Sequence, residues 1–260
     1  MFGKNCSIIG AVHVHALPGA AGYSGNMAQI IERAVSDSCA YQKAGVDALI
    51  IENMHDVPYL KGYAEAETTA AMAVVAAAIK KECQIPIGIQ ILAGANIEAL
   101  AVAHTCELDF IRVEGFVFAH IGDEGIHEAC AAQLVRKRAA IKADKVKIYA
   151  DIKKKHSSHA ITDDISLKET ASTAEFFKAD GVIVTGMRTG HAPPPSAVSD
   201  VKSEVSIPVL VGSGVTAENI AEYAKHADGI IFGTYGKFDG NWINDVDEER
   251  VKRLVDACHK

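Results

Sequence analysis

Eight short apolar runs, each ending in polar residues or glycine, set the strongest limit on how this chain folds. They are Ser7–Val12, Ala48–Ile51, Ile85–Ile91, Phe110–Val113, Lys147–Ala150, Gly181–Val184, Pro208–Val211 and Gly229–Phe232. Ala-rich amphipathic stretches of helical length separate nearly all of them. Strand-length and helix-length segments in alternation specify a parallel sheet with crossover helices, and eight such units close into a (β/α)8 barrel. At 260 residues the chain matches the ~250 typical of one barrel. No Pro/Gly-rich linker divides it, so a single α/β domain over residues 1–260 is expected.

Helices are expected over Met27–Lys43, Glu65–Lys81, Ile97–Cys106, Ile126–Lys142, Ser166–Phe177, Ala217–His226 and Asp247–His259. Lys80 and Lys81 suit the dipole at the end of the second, and Thr216 is a good N-cap for the sixth. Long connections follow four strands, over Val14–Asn26, Met54–Ala64, Lys153–Asp164 and Gly186–Pro195. On a barrel's catalytic face, loops of this length form lids or substrate walls.

Composition narrows the function. The formal net charge of −7 argues against a general nucleic-acid or anionic-membrane surface, while leaving room for a small basic pocket. No apolar run approaches the ~20 residues of a membrane span. The six cysteines lie far apart with no CxxC pair, which fits buried thiols in a reducing compartment rather than disulfides or a zinc ribbon. The first strand begins close to Met1, so no signal or transit peptide and a cytoplasmic location are expected.

Barrels carry their chemistry at the carboxyl ends of the strands. Gly212-Ser213-Gly214 follows the seventh run and Gly233-Thr234 the eighth. Glycines there let backbone N–H groups approach an anion, and the helix expected from Ala217 adds the positive end of its dipole. Tight turns alone would also explain them. Asp151 and Lys153 end the fifth run two residues apart, a spacing that allows both into one cavity as acid, base or electrophile. A barrel-mouth ion pair is the competing reading, and Lys153-Lys154-Lys155 also reads as a solvated run. Glu52 ends the second run beside Asn53, and Arg112 on the fourth is its natural partner. Those two side chains serve either a structural salt bridge or a substrate, and Thr185-Gly186 ends the sixth run.

His13 and His15 form an HxH at the end of the first run, the way two zinc ligands begin in metal-dependent hydrolases of barrel fold. The further ligands such a site needs are missing where they belong. The fifth run ends in Asp151, the sixth in Thr185 and the eighth in Gly233; His156, His159 and His191 lie deeper in loops. No metal and no cofactor are therefore expected, and His13 is read as a structural or substrate-binding group.

Several segments together resemble the BtpA family of barrel proteins. They are Ile9-Gly10-Ala11-Val12-His13 running into Ala16-Leu17-Pro18-Gly19, Glu52-Asn53 with Asp56 and Pro58, and Phe110-Ile111-Arg112-Val113. Ala150-Asp151 with Lys155-His156, Val184-Thr185-Gly186 with Thr189-Gly190, and Gly212-Ser213-Gly214 continue the series. Asp228-Gly229 through Phe232-Gly233-Thr234 to Lys237, then Asn244 with Val246-Asp247, complete it. The likeness covers nearly the whole chain in order. His15 departs from it, standing where the family more often has an apolar residue or glycine, and Lys153–Asp164 is more basic than the pattern. The resemblance implies a barrel whose phosphate end is like that of ribulose-phosphate-binding barrels. The family takes its name from a member linked to photosystem I biogenesis, and its motifs do not fix an activity.

The leading expectation is a protein that binds or transforms a small phosphorylated, sugar-like metabolite without a metal, an isomerase or lyase type of enzyme being one form of it. Asp151, Lys153 and Glu52 would be catalytic, and His13, Asn53, Arg112, Thr185 and Gly186 would hold substrate. Gly212, Ser213, Gly214, Gly233 and Thr234 would hold phosphate. A non-catalytic assembly factor and a metal-dependent hydrolase are the alternatives, and a homo-oligomer is possible for any of them.

Overall fold

The interior of the barrel is built from alternate residues of eight strands, some large and some reduced to glycine. In a computed structural model, residues 6–186 and 191–259 are described; Thr189-Gly190 of the family-like pattern lies outside them. Strands β1 (Ser7–His13), β2 (Ala48–Glu52), β3 (Ile87–Gln90) and β4 (Phe110–Val113) come first. The short strands β5 (His120–Gly122) and β6 (Gly125–His127) follow, then β7 (Lys147–Ile152) and the two-residue β8 (Ser157–Ser158). The last three are β9 (Gly181–Val184), β10 (Val209–Val211) and β11 (Gly229–Phe232). Eight of them close into a parallel barrel in the order β1-β11-β10-β9-β7-β4-β3-β2. The seventh and eighth barrel strands are thus β10 and β11.

Inward-facing Ile9, Ala11, Ala48, Ile50, Phe110, Tyr149, Ile183, Leu210 and Ile231 form the inner core. Phe110 and Tyr149 fit because the strands beside them carry glycine. A Cβ at Gly88 would lie 2.2 Å from the Phe110 ring, and one at Gly181 2.7 Å from Tyr149. The outward-facing residues, such as Ile8, Leu49, Ile89 and Val182, are buried against the helices. With both faces covered, a strand reads as a continuous apolar run rather than an alternating one.

A four-fold repeat lies in the helix-to-strand turns at the opposite end of the barrel. Asp47, Asp109, Asp180 and Asp228 each stand one residue before an even-numbered barrel strand. Each carboxylate accepts a backbone N–H from the first or second residue of the preceding barrel strand: Ile8 at 2.7 Å, Ile87 at 2.8 Å, Ile148 at 3.0 Å and Val209 at 2.7 Å. Each aspartate's own N–H donates back to the carbonyl of that same residue at 2.8 Å. The clamp satisfies donors that strand ends otherwise leave unpaired.

The helices are α1 (Met27–Lys43), α2 (Ala66–Glu82), α3 (Asn96–Thr105), α4 (Ala131–Ala140), α5 (Leu167–Phe176), α6 (Pro195–Glu204), α7 (Ile220–Tyr223) and α8 (Glu248–Cys258). Ser166 and Glu169 close a capping box at the start of α5, and Asp247 caps α8 through the N–H groups of Glu249 and Arg250. Among the described residues no helix is long and apolar enough to cross a membrane.

Two expectations need correction, and one helix that the sequence reading did not single out is added. The helix expected from Ile126 begins at Ala131, because Gly122 to Gly125 turns a β-hairpin that pairs with β8 as a small antiparallel sheet on the site face. The segment after the prolines forms α6, with Pro195 in its first turn, where a missing N–H costs nothing. The helix expected over Ala217–His226 shrinks to α7, since Asn219 bends back to accept from Thr216 N–H and donate to the Gly214 carbonyl. Its dipole therefore has little to add at the strand ends.

Candidate active site

At the carboxyl end of the barrel, a cavity of about 260 Å³ is lined by two unlike sets of residues that meet where Gly212 abuts Arg112 and Gly233 abuts His13. One wall is backbone-rich, from Gly212 to Thr216 and from Phe232 to Tyr235. The other carries His13, Glu52, Arg112 and Lys155. Arg250 of α8 closes the cavity beside the glycine wall.

The charged wall is organised by Arg112. Its Nε and Nη2 donate to the two carboxylate oxygens of Asp151 at 2.9 and 3.0 Å, and Nη1 donates to Glu52 Oε1 at 3.1 Å. All three are buried, Arg112 to 5% exposure. Planar guanidinium geometry allows this two-sided pairing. Burial alone would lower the affinity of Arg112 for its proton, but Asp151 and Glu52 outweigh it and hold the guanidinium above its ordinary value. Burial raises the Glu52 carboxyl despite Arg112 beside it. Two carboxylates against one guanidinium leave a net negative charge, and Lys155 lines the same cavity within its influence.

His13 is held as one tautomer. Nδ1 lies 3.2 Å from the Trp242 carbonyl, which can only accept, so Nδ1 carries the proton and Nε2 is left as an acceptor toward Gly233. Burial first, then the charge of Lys237, lowers its pKa to about 3. Lys237 is itself fully buried and paired with Asp37 at 2.7 Å, beneath the site. A Cβ at Gly233 would lie 2.6 Å from His13 Nε2, so the imidazole occupies the space this glycine leaves. His15 stacks on His55 at 4.6 Å, and His55 on Trp242 at 4.7 Å. The two histidines of the HxH thus serve different neighbours.

The other expected site residues divide. Gly212, Ser213, Gly214, Gly233 and Thr234 line the cavity with Glu52, His13 and Arg112. Asn53 does not. It faces a second cavity, donates to Asp56 at 2.8 Å and accepts the Leu92 N–H at 2.7 Å, so it fastens two loops. Asp151 and Lys153 share only a cleft of about 20 Å³ on the far side of Arg112. Lys153 takes φ +47°, which turns the chain, and its amine donates to the Thr162 carbonyl at 3.1 Å. Thr185 accepts the Lys155 N–H at 3.2 Å, and Gly186 packs on the His191 backbone. Gly214 has φ +74°, and a Cβ there would lie 2.1 Å from Ala192 N. Its glycine is required by packing, with or without an anion. Lys155 entered the sequence reading only through the family-like segment and as part of a lysine run, and Arg250 did not enter it. Arg250 donates through Nε to the Tyr235 carbonyl at 2.7 Å, and its guanidinium lies 4.8 Å from that ring's centre.

A closed parallel barrel with a charged pocket at its carboxyl end belongs to the class of (β/α)8 proteins that build their sites on strand-end loops. Within it, the chain is a member of the BtpA family, whose signature matches residues 4–260. An uncharacterised mitochondrial protein of Caenorhabditis elegans is 44% identical over 253 residues, covering 95% of this chain and 91% of that one. The photosystem I biogenesis protein BtpA of Synechocystis is 32% identical over 254 residues, covering 96% and 87%. Among solved structures, (S)-3-O-geranylgeranylglyceryl phosphate synthase from Thermoplasma acidophilum, in complex with its substrate sn-glycerol-1-phosphate, superposes with a TM-score of 0.63 at 18% identity, covering 98% and 94%.

Proposed function

We propose that this cavity binds a small phosphorylated metabolite and positions it for chemistry at the charged wall. The phosphate lies along Gly212–Thr216 and Gly233–Thr234, with Arg250 as its cation. The remainder of the molecule meets His13 Nε2, Glu52, Arg112 and Lys155. The observation that carries the reading is that one cavity is lined both by glycine-rich backbone with an arginine and by buried titratable groups. Backbone N–H groups and a guanidinium are the usual partners of phosphate oxygens. The synthase of like fold takes a glycerol phosphate; that likeness is one of fold, and the weight rests on the residues.

Within this reading, Glu52 remains the acid or base, since it borders the cavity and only one of its oxygens is tied to Arg112. Asp151 orients Arg112, and Lys153 secures the loop that brings Lys155 to the cavity. Calorimetric titration with inorganic phosphate, glycerol 1-phosphate and pentose phosphates tests the assignment. At least one binds, and Arg250→Gln weakens it tenfold or more, which is ~1.4 kcal/mol. Unchanged affinity in the folded variant would remove Arg250 and the phosphate wall from the account.

One observation favours the alternative of an assembly platform. Phe176 and Phe177 at the end of α5 are 78% and 43% exposed and lie ring to ring at 5.6 Å, away from the cavity. Neighbouring apolar side chains on a surface are commonly contact points. A homo-oligomer would cover them as well as a foreign partner.

A further inference from the structure

Lys153, Lys154, Lys155 and Lys237 follow strands at the site end of the barrel, and three of these four are committed. Lys153 donates to the Thr162 carbonyl at 3.1 Å. Lys154 lies 3.3 Å from Glu114 and 3.9 Å from Glu124. Lys237 is paired with Asp37 at 2.7 Å. Lys155 alone of the four lines the main cavity. Its backbone is pinned, with N–H to Thr185 Oγ1 at 3.2 Å and its carbonyl accepting from Ser157 Oγ at 3.3 Å. Its amine makes no hydrogen bond or ion pair with any described residue. A fixed backbone and a free amine beside a buried carboxyl are what a lysine nucleophile needs.

We propose that Lys155 forms an imine with the carbonyl group of a phosphorylated aldehyde or ketone held in this cavity. The inference rests on the phosphate-binding reading above and adds the reacting group. Burial first, then the charge of Arg112, pushes the Lys155 amine below its ordinary pKa, which enlarges the neutral, nucleophilic fraction.

The step starts once the Lys155 ammonium has passed a proton to the Glu52 carboxylate, a transfer that burial of both groups favours, so that a neutral amine faces a carboxylic acid. The Lys155 nitrogen lone pair attacks the carbonyl carbon; a C–N bond forms, and the C=O π pair moves to oxygen, which takes the Glu52 proton. The Glu52 carboxylate removes one proton from the nitrogen, giving a neutral carbinolamine, and passes it to the hydroxyl group. The C–O bond then breaks, water leaves, and the nitrogen lone pair closes the C=N bond. Amine, carbonyl and carboxylic acid become protonated imine, water and carboxylate, with no oxidant or reductant. The new cation faces the negative charge left over from the Glu52–Arg112–Asp151 group. His13, neutral with Nε2 accepting, can hold a substrate hydroxyl beside it.

Borohydride trapping on the full chain tests this. The protein is incubated with glyceraldehyde 3-phosphate, dihydroxyacetone phosphate, ribose 5-phosphate and ribulose 5-phosphate, reduced, digested and mapped by mass. The expected result is one adduct on Lys155 with at least one compound, suppressed tenfold or more by excess inorganic phosphate and missing in Lys155→Gln. Unphosphorylated glyceraldehyde should label Lys155 no more than it labels surface lysines. The phosphate competition is read on the wild-type chain, so the result does not depend on how the variant folds. Calorimetry with the same compounds separates the two readings. Binding without a Lys155 adduct overturns the imine and leaves the phosphate site standing. No binding and no adduct overturns both. Labelling spread over surface lysines and indifferent to phosphate also overturns it.

Discussion

Arg112 holds Asp151 through two hydrogen bonds and Glu52 through one, all away from bulk water. A buried charge that loses its partner is far more costly than the pair was stabilising. Asp151→Asn removes half of the counter-charge while preserving shape, and we expect it to lower stability by ~3 kcal/mol in urea denaturation. A change within experimental error would mean that Arg112 is adequately held by Glu52 alone. This differs from what the spacing of Asp151 and Lys153 suggests. Two residues apart on a strand share a face only while the strand continues; here β7 ends at Ile152 and Lys153 turns at φ +47°. β2 likewise ends at Glu52, so Asn53 stands in the loop that follows and faces the loop cavity while Glu52 enters the barrel mouth. The pairing of Glu52 with Arg112 was legible in the sequence; the turning away of Asn53 and the entry of Lys155 into the cavity were not, because both follow from backbone beyond the strand ends.

At the scale of elements, the aspartate clamps define the four even-numbered barrel strands. The turns Val46-Asp47, Leu108-Asp109, Ala179-Asp180 and Ala227-Asp228 show the repeat in the sequence, though each taken singly reads as an ordinary turn. Asp47→Ala leaves the Ile8 N–H without its side-chain acceptor. The expected loss is ~1.5–3 kcal/mol, the range for a hydrogen bond to a charged group. Faster amide exchange at Ile8, with the other strands unaffected, would locate it, whereas protection equal to wild type would show that the clamp adds nothing. The eight barrel strands were legible from their apolar runs because both faces are covered. The hairpin of β5 and β6 was not, because its three-residue strands are too short to show a period and merge with the helix that follows.

At the scale of the whole molecule, the eight-fold closure brings the ends of β1, β2, β4, β10 and β11 around one cavity and sends α8 back across its edge. Sequence distance hides such convergence: Arg250 lies on an amphipathic helix whose pattern gives no sign that one of its arginines borders a site. The account stands on the division of this cavity into a phosphate wall and a reacting wall. The most direct test is a crystal of the protein soaked in phosphate. The account predicts one ordered anion within hydrogen-bond distance of the Arg250 guanidinium and backbone N–H groups of Ser213–Val215 or Gly233–Thr234. A cavity that remains without an anion, or an anion seated against Lys155 and Arg112 with the glycine wall untouched, would contradict it.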